Sequence, residues 1–149
     1  MVNRDKDFLG SIPEIYDTYL VPLIFESYAQ DLADRVSVLG PDAILETAAG
    51  SGVVARVLAP VLPASAHYTA TDLNQPMLDH AASKQQSNSR ITWRQADALN
   101  LPFDDASFDV VEEAAATVFP DNPPRFLSRT PHGYFEEDLI QEGLVAAVR

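Results

Sequence analysis

The stretch Ile44-Leu45-Glu46-Thr47-Ala48-Ala49-Gly50-Ser51-Gly52 constrains this chain more than any other. Ile44 and Leu45 supply a short apolar strand. Gly50 and Gly52 supply a turn, because glycine reaches positive φ without steric cost. Val53 to Ala59 then carries Val54, Val57 and Leu58 at helical spacing, and Pro60 stops it. A strand, a glycine turn and a helix in this order place a helix N-terminus, with free N–H groups, beside a strand end. Open α/β sheets take nucleotide-like ligands at such a corner. A lone Gly-x-Gly occurs in many loops, so the pattern needs support. Glu46 stands four positions before Gly50, and Asp72 closes the next apolar stretch, Tyr68-Thr69-Ala70-Thr71-Asp72, twenty residues after Gly52. An acid at that remove, at the tip of the second strand, is placed to hold a ribose diol.

The rest of the chain extends the same alternation. Residues 1–40 form a helical leader. Ile12, Ile15, Tyr16 and Tyr19 share one helical spacing, and Phe25, Tyr28, Leu32, Val36 and Leu39 share a second, which starts at Pro22. Core packing accounts for that aromatic stripe, and the leader's tyrosines are also placed to fold over a ligand. Residues 41–118 form an α/β core. Within it Asn74-Gln75-Pro76 opens a helix whose buried side is Met77, Leu78, Ala81 and Ala82. Ile91 to Asp97 alternates apolar and polar residues and ends in an acid, as a third strand. Phe108-Asp109-Val110-Val111 is a short fourth strand. Strand, helix, strand, helix, strand, loop, strand is the order of a parallel sheet. Pro120, Pro123, Pro124 and Pro131 then forbid a central strand, and residues 119–149 become a Pro-rich segment plus a helix over Glu136 to Val148.

Composition narrows the function. The chain has 149 residues, 46% of them hydrophobic, which suits a single domain with a real core. A net charge of −12 argues against a nucleic-acid partner and an anionic membrane surface, since both need clustered Lys and Arg. There is no cysteine, so neither a disulfide nor a thiolate metal site is available, and no metal site is expected. The start lacks an apolar run, which leaves the cytoplasm as the expected location.

Glu46 through Gly52, Asp72, Gln95-Ala96-Asp97-Ala98-Leu99 and Leu101-Pro102-Phe103 leading to Phe108-Asp109-Val110-Val111 together resemble class I S-adenosylmethionine-dependent methyltransferases. The branch around ubiquinone and menaquinone biosynthesis is the one they are most similar to. The resemblance covers residues 8–118. It implies a Rossmann-like three-layer α/β fold whose parallel sheet has the order 3-2-1-4, with N-terminal helices and a C-terminal helix. Ala48 departs from the family pattern, which has its first glycine there, and the extra methyl is expected to be tolerated. Residues 119–149 resemble a segment that lies well downstream of the fourth strand in longer relatives. The sheet is therefore expected to be incomplete, the chain shortened after the fourth strand, and that strand left as an edge that pairs with a second copy, or swaps elements with it, in a homodimer.

The cofactor implied is S-adenosylmethionine, held by Glu46, Ala48, Gly50, Gly52, Asp72, Leu73, Met77, Asp97, Ala98 and Leu99. In that reading the Gly50 and Gly52 backbone meets the methionine end, and Glu46 meets the ammonium. Asp72 accepts the ribose hydroxyls, while Asp97 and the Ala98 N–H meet the adenine. Leu73, Met77 and Leu99 sandwich its ring. The reaction implied is methyl transfer to a small-molecule acceptor. Glu112, His132 and Tyr134 are candidates for a base. Two alternatives stand beside it: a non-catalytic cofactor-binding module without the acceptor half, and a nicotinamide-dependent oxidoreductase reading of Gly50-x-Gly52-x-x-Ala55 with Asp72.

Overall fold

The computed structural model describes residues 12–85, 90–112 and 146–147. Its centre is one sheet with the strand order β3-β2-β1-β4-β5. The strands are β1 (Ala43–Glu46), β2 (His67–Asp72), β3 (Ile91–Gln95), β4 (Val110–Glu112) and β5 (Ala146–Ala147). β1 lies between β2 and β4 and pairs with both in parallel, and β3 pairs in parallel with β2. The expected 3-2-1-4 order is the observed one. The first two crossovers run through helices, α2 (Val53–Leu58) between β1 and β2 and α3 (Gln75–Lys84) between β2 and β3, and the third, from β3 to β4, is the loop over 96–109. Parallel strands require such connections, because a tight hairpin cannot return the chain in the same direction.

The leader is helical from residue 12, and Tyr16–Phe25 is wound as a π-helix that passes into α1, Glu26–Leu39. A boundary at Pro22 was expected. Pro22 instead sits inside the π-helix, whose wider register accommodates the missing N–H and the ring that would clash in an α-helix. The buried stripe of α1 is Ala29, Leu32, Ala33 and Val36, while Tyr28 and Leu39 of the expected aromatic stripe are exposed. The alanines let α1 approach closely, and Gly40, in the left-handed region at φ 57°, ends it as glycine does at many helix C-termini.

One face of the sheet, carrying Ile44, Tyr68, Ala70, Val110 and Ile91, packs with α1 and with Val54, Ala55 and Leu58 of α2. Leu32, Val36, Ile44 and Leu58 are essentially without exposure. Each side chain of that size stabilises the fold by about 2 kcal/mol. On α3, Leu78 and Ala81 are buried, Met77 is half-buried and Ala82 is exposed, which narrows the expected buried side. Asn74 caps this helix, its side-chain oxygen accepting the Met77 N–H at 3.3 Å. The Asp42 and Ala43 N–H groups both donate to Asp109 Oδ2 at 2.9 Å, which fixes the start of β1 against the start of β4.

At the far edge the structure corrects the sequence reading twice. The helix expected over 136–148 lies mostly outside the described residues, but Ala146–Ala147 is a strand. It pairs antiparallel with β4, Val110 opposite Ala147 and Val111 opposite Ala146. The open N–H and C=O groups of an edge strand outweigh local helical preference over so short a stretch. β4 is therefore not the edge of the described sheet; β5 lies outside it. Among the described residues no helix is long and apolar enough to cross a membrane.

Candidate functional site

Where β1 ends, the backbone turns sharply. Ala48, Gly50 and Gly52 all have positive φ, at 51°, 55° and 77°. The three positions do different things. Gly52 is buried, and its N–H donates to the Ala49 carbonyl at 2.9 Å. A Cβ there would lie 2.8 Å from Trp93 Cη2 and 2.9 Å from the Ala81 methyl, so this glycine serves the packing of β3 and α3. Around Gly50 there is room: a Cβ would meet nothing nearer than Tyr16 Cε1 at 3.9 Å. Ala48 is exposed and carries the left-handed conformation without the freedom of glycine.

Asp72, at the end of β2, ties the corner together. Its Oδ2 accepts the Gly50 N–H and its Oδ1 accepts the Asn74 N–H, both at 2.8 Å. Each oxygen keeps a lone pair, so the carboxylate both locks the two loops and remains able to accept hydroxyls. Asp97 stands beyond the end of β3, exposed, with Oδ1 accepting the Leu99 N–H at 2.9 Å. Beside these acids, Leu73 and Leu99 are about two-thirds exposed and Met77 and Ala98 are half-buried. Exposed leucines next to carboxylates with spare lone pairs, above an open glycine, suit a ligand with a hydroxylated sugar and a flat apolar ring.

Glu46 lies deeper than expected. It is buried, and the Tyr68 hydroxyl lies 2.7 Å from its Oε2. The same hydroxyl lies 2.5 Å from Glu112 Oε1, and Glu112 is equally buried. Burial, then the charge of Glu112, pushes the Glu46 carboxyl well above the ordinary carboxylate range. Burial likewise raises Glu112, to about 8. As the last residue of β4, Glu112 is buried, with its Oε1 turned to the Tyr68 hydroxyl. His132 and Tyr134 lie outside the described residues.

The leader closes over the corner from above. Asp17 Oδ1 accepts from Ser51 Oγ at 2.9 Å and from Arg56 at 2.6 Å, and Asp17 Oδ2 lies 3.2 Å from His80 Nε2. Burial would raise the Asp17 carboxyl, but hydrogen bonds from Arg56, Ser51 and His80 outweigh it and hold it below the usual range. Arg56 also donates to the Ser51 carbonyl at 2.6 Å. This clasp ties the leader to the glycine turn and to α3, and it holds half-buried Tyr16 beside Gly50. Burial, with the charge of Asp72, raises the Tyr16 phenol. Sequence reading picked out Tyr16 but missed Asp17, Ser51, Arg56 and Tyr68. Their partners lie 34, 39 and 22 positions away, where no local pattern signals them.

Comparison with known proteins agrees with this arrangement. A family model described as a methyltransferase domain matches residues 44–130, more than half of the chain. The demethylmenaquinone methyltransferase of Clavibacter sepedonicus is 37% identical over 76 residues, 51% of this chain and 30% of that protein. The phthiotriol/phenolphthiotriol dimycocerosates methyltransferase of Mycobacterium tuberculosis is 39% identical over 116 residues, 73% of this chain and 42% of that protein. A solved structure from Methanococcus maripaludis, described as an S-adenosyl-L-methionine-dependent methyltransferase, superposes with a TM-score of 0.55 at 22% identity, covering 69% of this chain and 47% of that one. At that identity the likeness speaks for the fold. The chain thus spans less than half the length of these relatives. With its strand order, its glycine turn and a family match from residue 44 to residue 130, the chain belongs to the class I S-adenosylmethionine-dependent methyltransferases.

Proposed function

We propose that the corner at the ends of β1, β2 and β3 binds S-adenosylmethionine and that the chain provides the cofactor half of a methyltransferase acting on a small-molecule acceptor. The observation that carries this is the pairing of Asp72 and Asp97 with the exposed leucines beside them, Leu73 and Leu99. Apolar side chains left in water next to two carboxylates are accounted for by a bound ring. Both curated relatives described above are named for small-molecule acceptors, which supports the acceptor class.

When bound, the cofactor supplies an activated methyl group on a sulfonium, so the protein mainly aligns and encloses. Asp72 would accept the ribose hydroxyls with its free lone pairs. Asp97 and the Ala98 N–H would meet the adenine edge, and Leu73, Met77 and Leu99 its faces. The open position above Gly50 admits the methionine end, and Tyr16 of the leader borders it. The Asp17 clasp holds the leader in place and limits entry of water from that side.

The test is calorimetric titration of the whole chain with S-adenosylhomocysteine, with NAD as the control for the oxidoreductase reading. Binding of the first without the second is expected. Binding of NAD alone, or of neither, overturns the proposal. Turnover with radiolabelled cofactor and a panel of hydroxylated small molecules then tests the acceptor class.

A further inference from the structure

The Tyr68 hydroxyl stands between two buried carboxyls, 2.7 Å from Glu46 Oε2 and 2.5 Å from Glu112 Oε1. It has one proton to give. Both contacts are hydrogen bonds only if one carboxyl brings a proton of its own and donates it to the phenol oxygen. Two ionised carboxylates here would set bare lone pairs against the phenol and leave two charges together in the interior. Which carboxyl holds the proton follows from the remaining oxygens. Among the described residues Glu112 Oε2 has no hydrogen-bond partner, and it is sealed from solvent. An ionised Glu112 would carry charge on that orphan oxygen, whereas a neutral acid leaves only a carbonyl unpaired. At Glu46 burial comes first, then the charge of Glu112, both raising its carboxyl, against the Tyr68 hydroxyl and the more distant Arg56 cation; a neutral Glu112 removes the second of these upward pushes.

We propose that Glu112 is a protonated positioning residue, which by donating its carboxyl proton to Tyr68 turns the Tyr68 proton onto Glu46 and keeps Glu46 a single, oriented anion beneath the cofactor corner. The inference rests on the reading that this corner takes S-adenosylmethionine, and it goes beyond that reading in naming what holds Glu46. The chain of donors runs from Glu112, the last residue of β4, through Tyr68, the second residue of β2, to Glu46, the last residue of β1. Among the described residues the groups facing Glu46 are Tyr68 and Asp72 from β2, Glu112 from β4 and Arg56 from α2. Arg56 is in turn bound by Asp17 of the leader, and Asp17 lies against His80 of α3. The buried residues of α1 are all apolar. Asp72 at the corner pushes the Glu46 carboxyl up, so charges at the corner and at Glu46 act on one another. An anion held under the corner favours the ammonium of the cofactor's methionine end. A second anion, formed when Glu112 loses its proton to solvent, breaks the donor chain and turns the Tyr68 hydroxyl away from Glu46.

The experiment is the pH profile of S-adenosylhomocysteine affinity for the whole chain, compared with Glu112→Gln and Glu112→Leu. The glutamine amide donates to Tyr68 as the protonated acid does, and it cannot ionise. The wild type is expected to lose affinity by about tenfold per pH unit once Glu112 deprotonates, the limit for one coupled proton. Glu112→Gln is expected to keep the neutral-pH affinity with no alkaline loss, and Glu112→Leu to lose affinity at every pH. A Glu112→Gln profile that follows the wild type, or a wild type with no alkaline loss, overturns the proposal. Infrared spectroscopy decides the matter without a ligand. A buried carboxylic-acid C=O band at neutral pH that vanishes in Glu112→Gln and survives in Glu46→Gln supports it, and a band absent from the wild type overturns it. Failure of S-adenosylhomocysteine to bind would therefore sink the cofactor reading while leaving the protonation of Glu112 open to the infrared result.

Discussion

Gly52 and Trp93 meet with no space between them: a Cβ on Gly52 would stand 2.8 Å from Trp93 Cη2. The second glycine of the turn is there because β3 and α3 press against it. Gly52→Ala adds a clash with a ring and a helix methyl to the strain of a left-handed alanine, and it is expected to cost about 3 kcal/mol. Gly50→Ala carries strain of the same kind but meets open space, and about 1 kcal/mol is expected. Denaturant titration of the two variants side by side checks the contrast; equal losses would refute the packing account.

Ala48 sits in the left-handed region at φ 51° with its side chain exposed. Replacing it by glycine, the residue the family pattern has there, relieves about 1–2 kcal/mol of strain and adds roughly 0.5–1 kcal/mol of unfolded-state entropy. Ala48→Gly is expected to stabilise by about 0.5–1 kcal/mol and to raise the melting temperature by a few degrees. Calorimetry showing no gain would mean that the turn relaxes around the methyl.

Asp72 holds two backbone N–H groups, one on each oxygen. Asparagine offers a single acceptor and turns an amide toward the other donor. Asp72→Asn is expected to cost about 1–3 kcal/mol of stability and to weaken S-adenosylhomocysteine binding by more than tenfold. Asp97 accepts the Leu99 N–H in an exposed loop, so Asp97→Asn is expected to weaken binding with little change in stability. Parallel calorimetry and unfolding measurements separate the two.

Asp17 binds Ser51, Arg56 and His80 at once. Its carboxyl is held below the ordinary value of 3.8, so its contribution is present above that pH and is lost as pH falls through the lower folded value. Asp17→Asn is expected to destabilise near neutral pH by about 1–2 kcal/mol, a charged hydrogen-bonded group in a partly solvated place. The difference from wild type should shrink toward acid. A difference that stays constant below pH 3.8 would rule out the ionised clasp.

Glu112 works in the opposite sense. Its folded value, about 8, lies above the ordinary 4.5, so between those limits the unfolded chain binds fewer protons than the folded one. Its contribution is full below 4.5 and is lost as pH rises through about 8, with a slope of at most about −1.4 kcal/mol per unit. Glu112→Gln is expected to flatten this decline and to be more stable than wild type at the alkaline end. Unfolding free energies across the range check it; parallel curves would refute it.

Much of this molecule is written in local pattern. The alternation of apolar strand and helical spacing, the glycine turn, the Asn74 cap and the acids at successive strand ends are short-range signals, and from them a parallel α/β sheet and the corner follow, while the 3-2-1-4 order is what the family resemblance implies. Such signals are legible because strand and helix periods, turn geometry and capping each involve residues a few positions apart. Tertiary structure decided the rest. Glu46 does not stand open at the corner but shares Tyr68 with Glu112, 22 and 44 positions from that tyrosine. Asp17 reaches Ser51 and Arg56 across the leader. Gly52 serves Trp93, and Ala146–Ala147 leaves the expected helix to pair with β4. In each case the deciding partner is far away in sequence. A carboxyl, a glycine or an edge strand is given its role by what packs against it, and only the folded chain brings that neighbour into place.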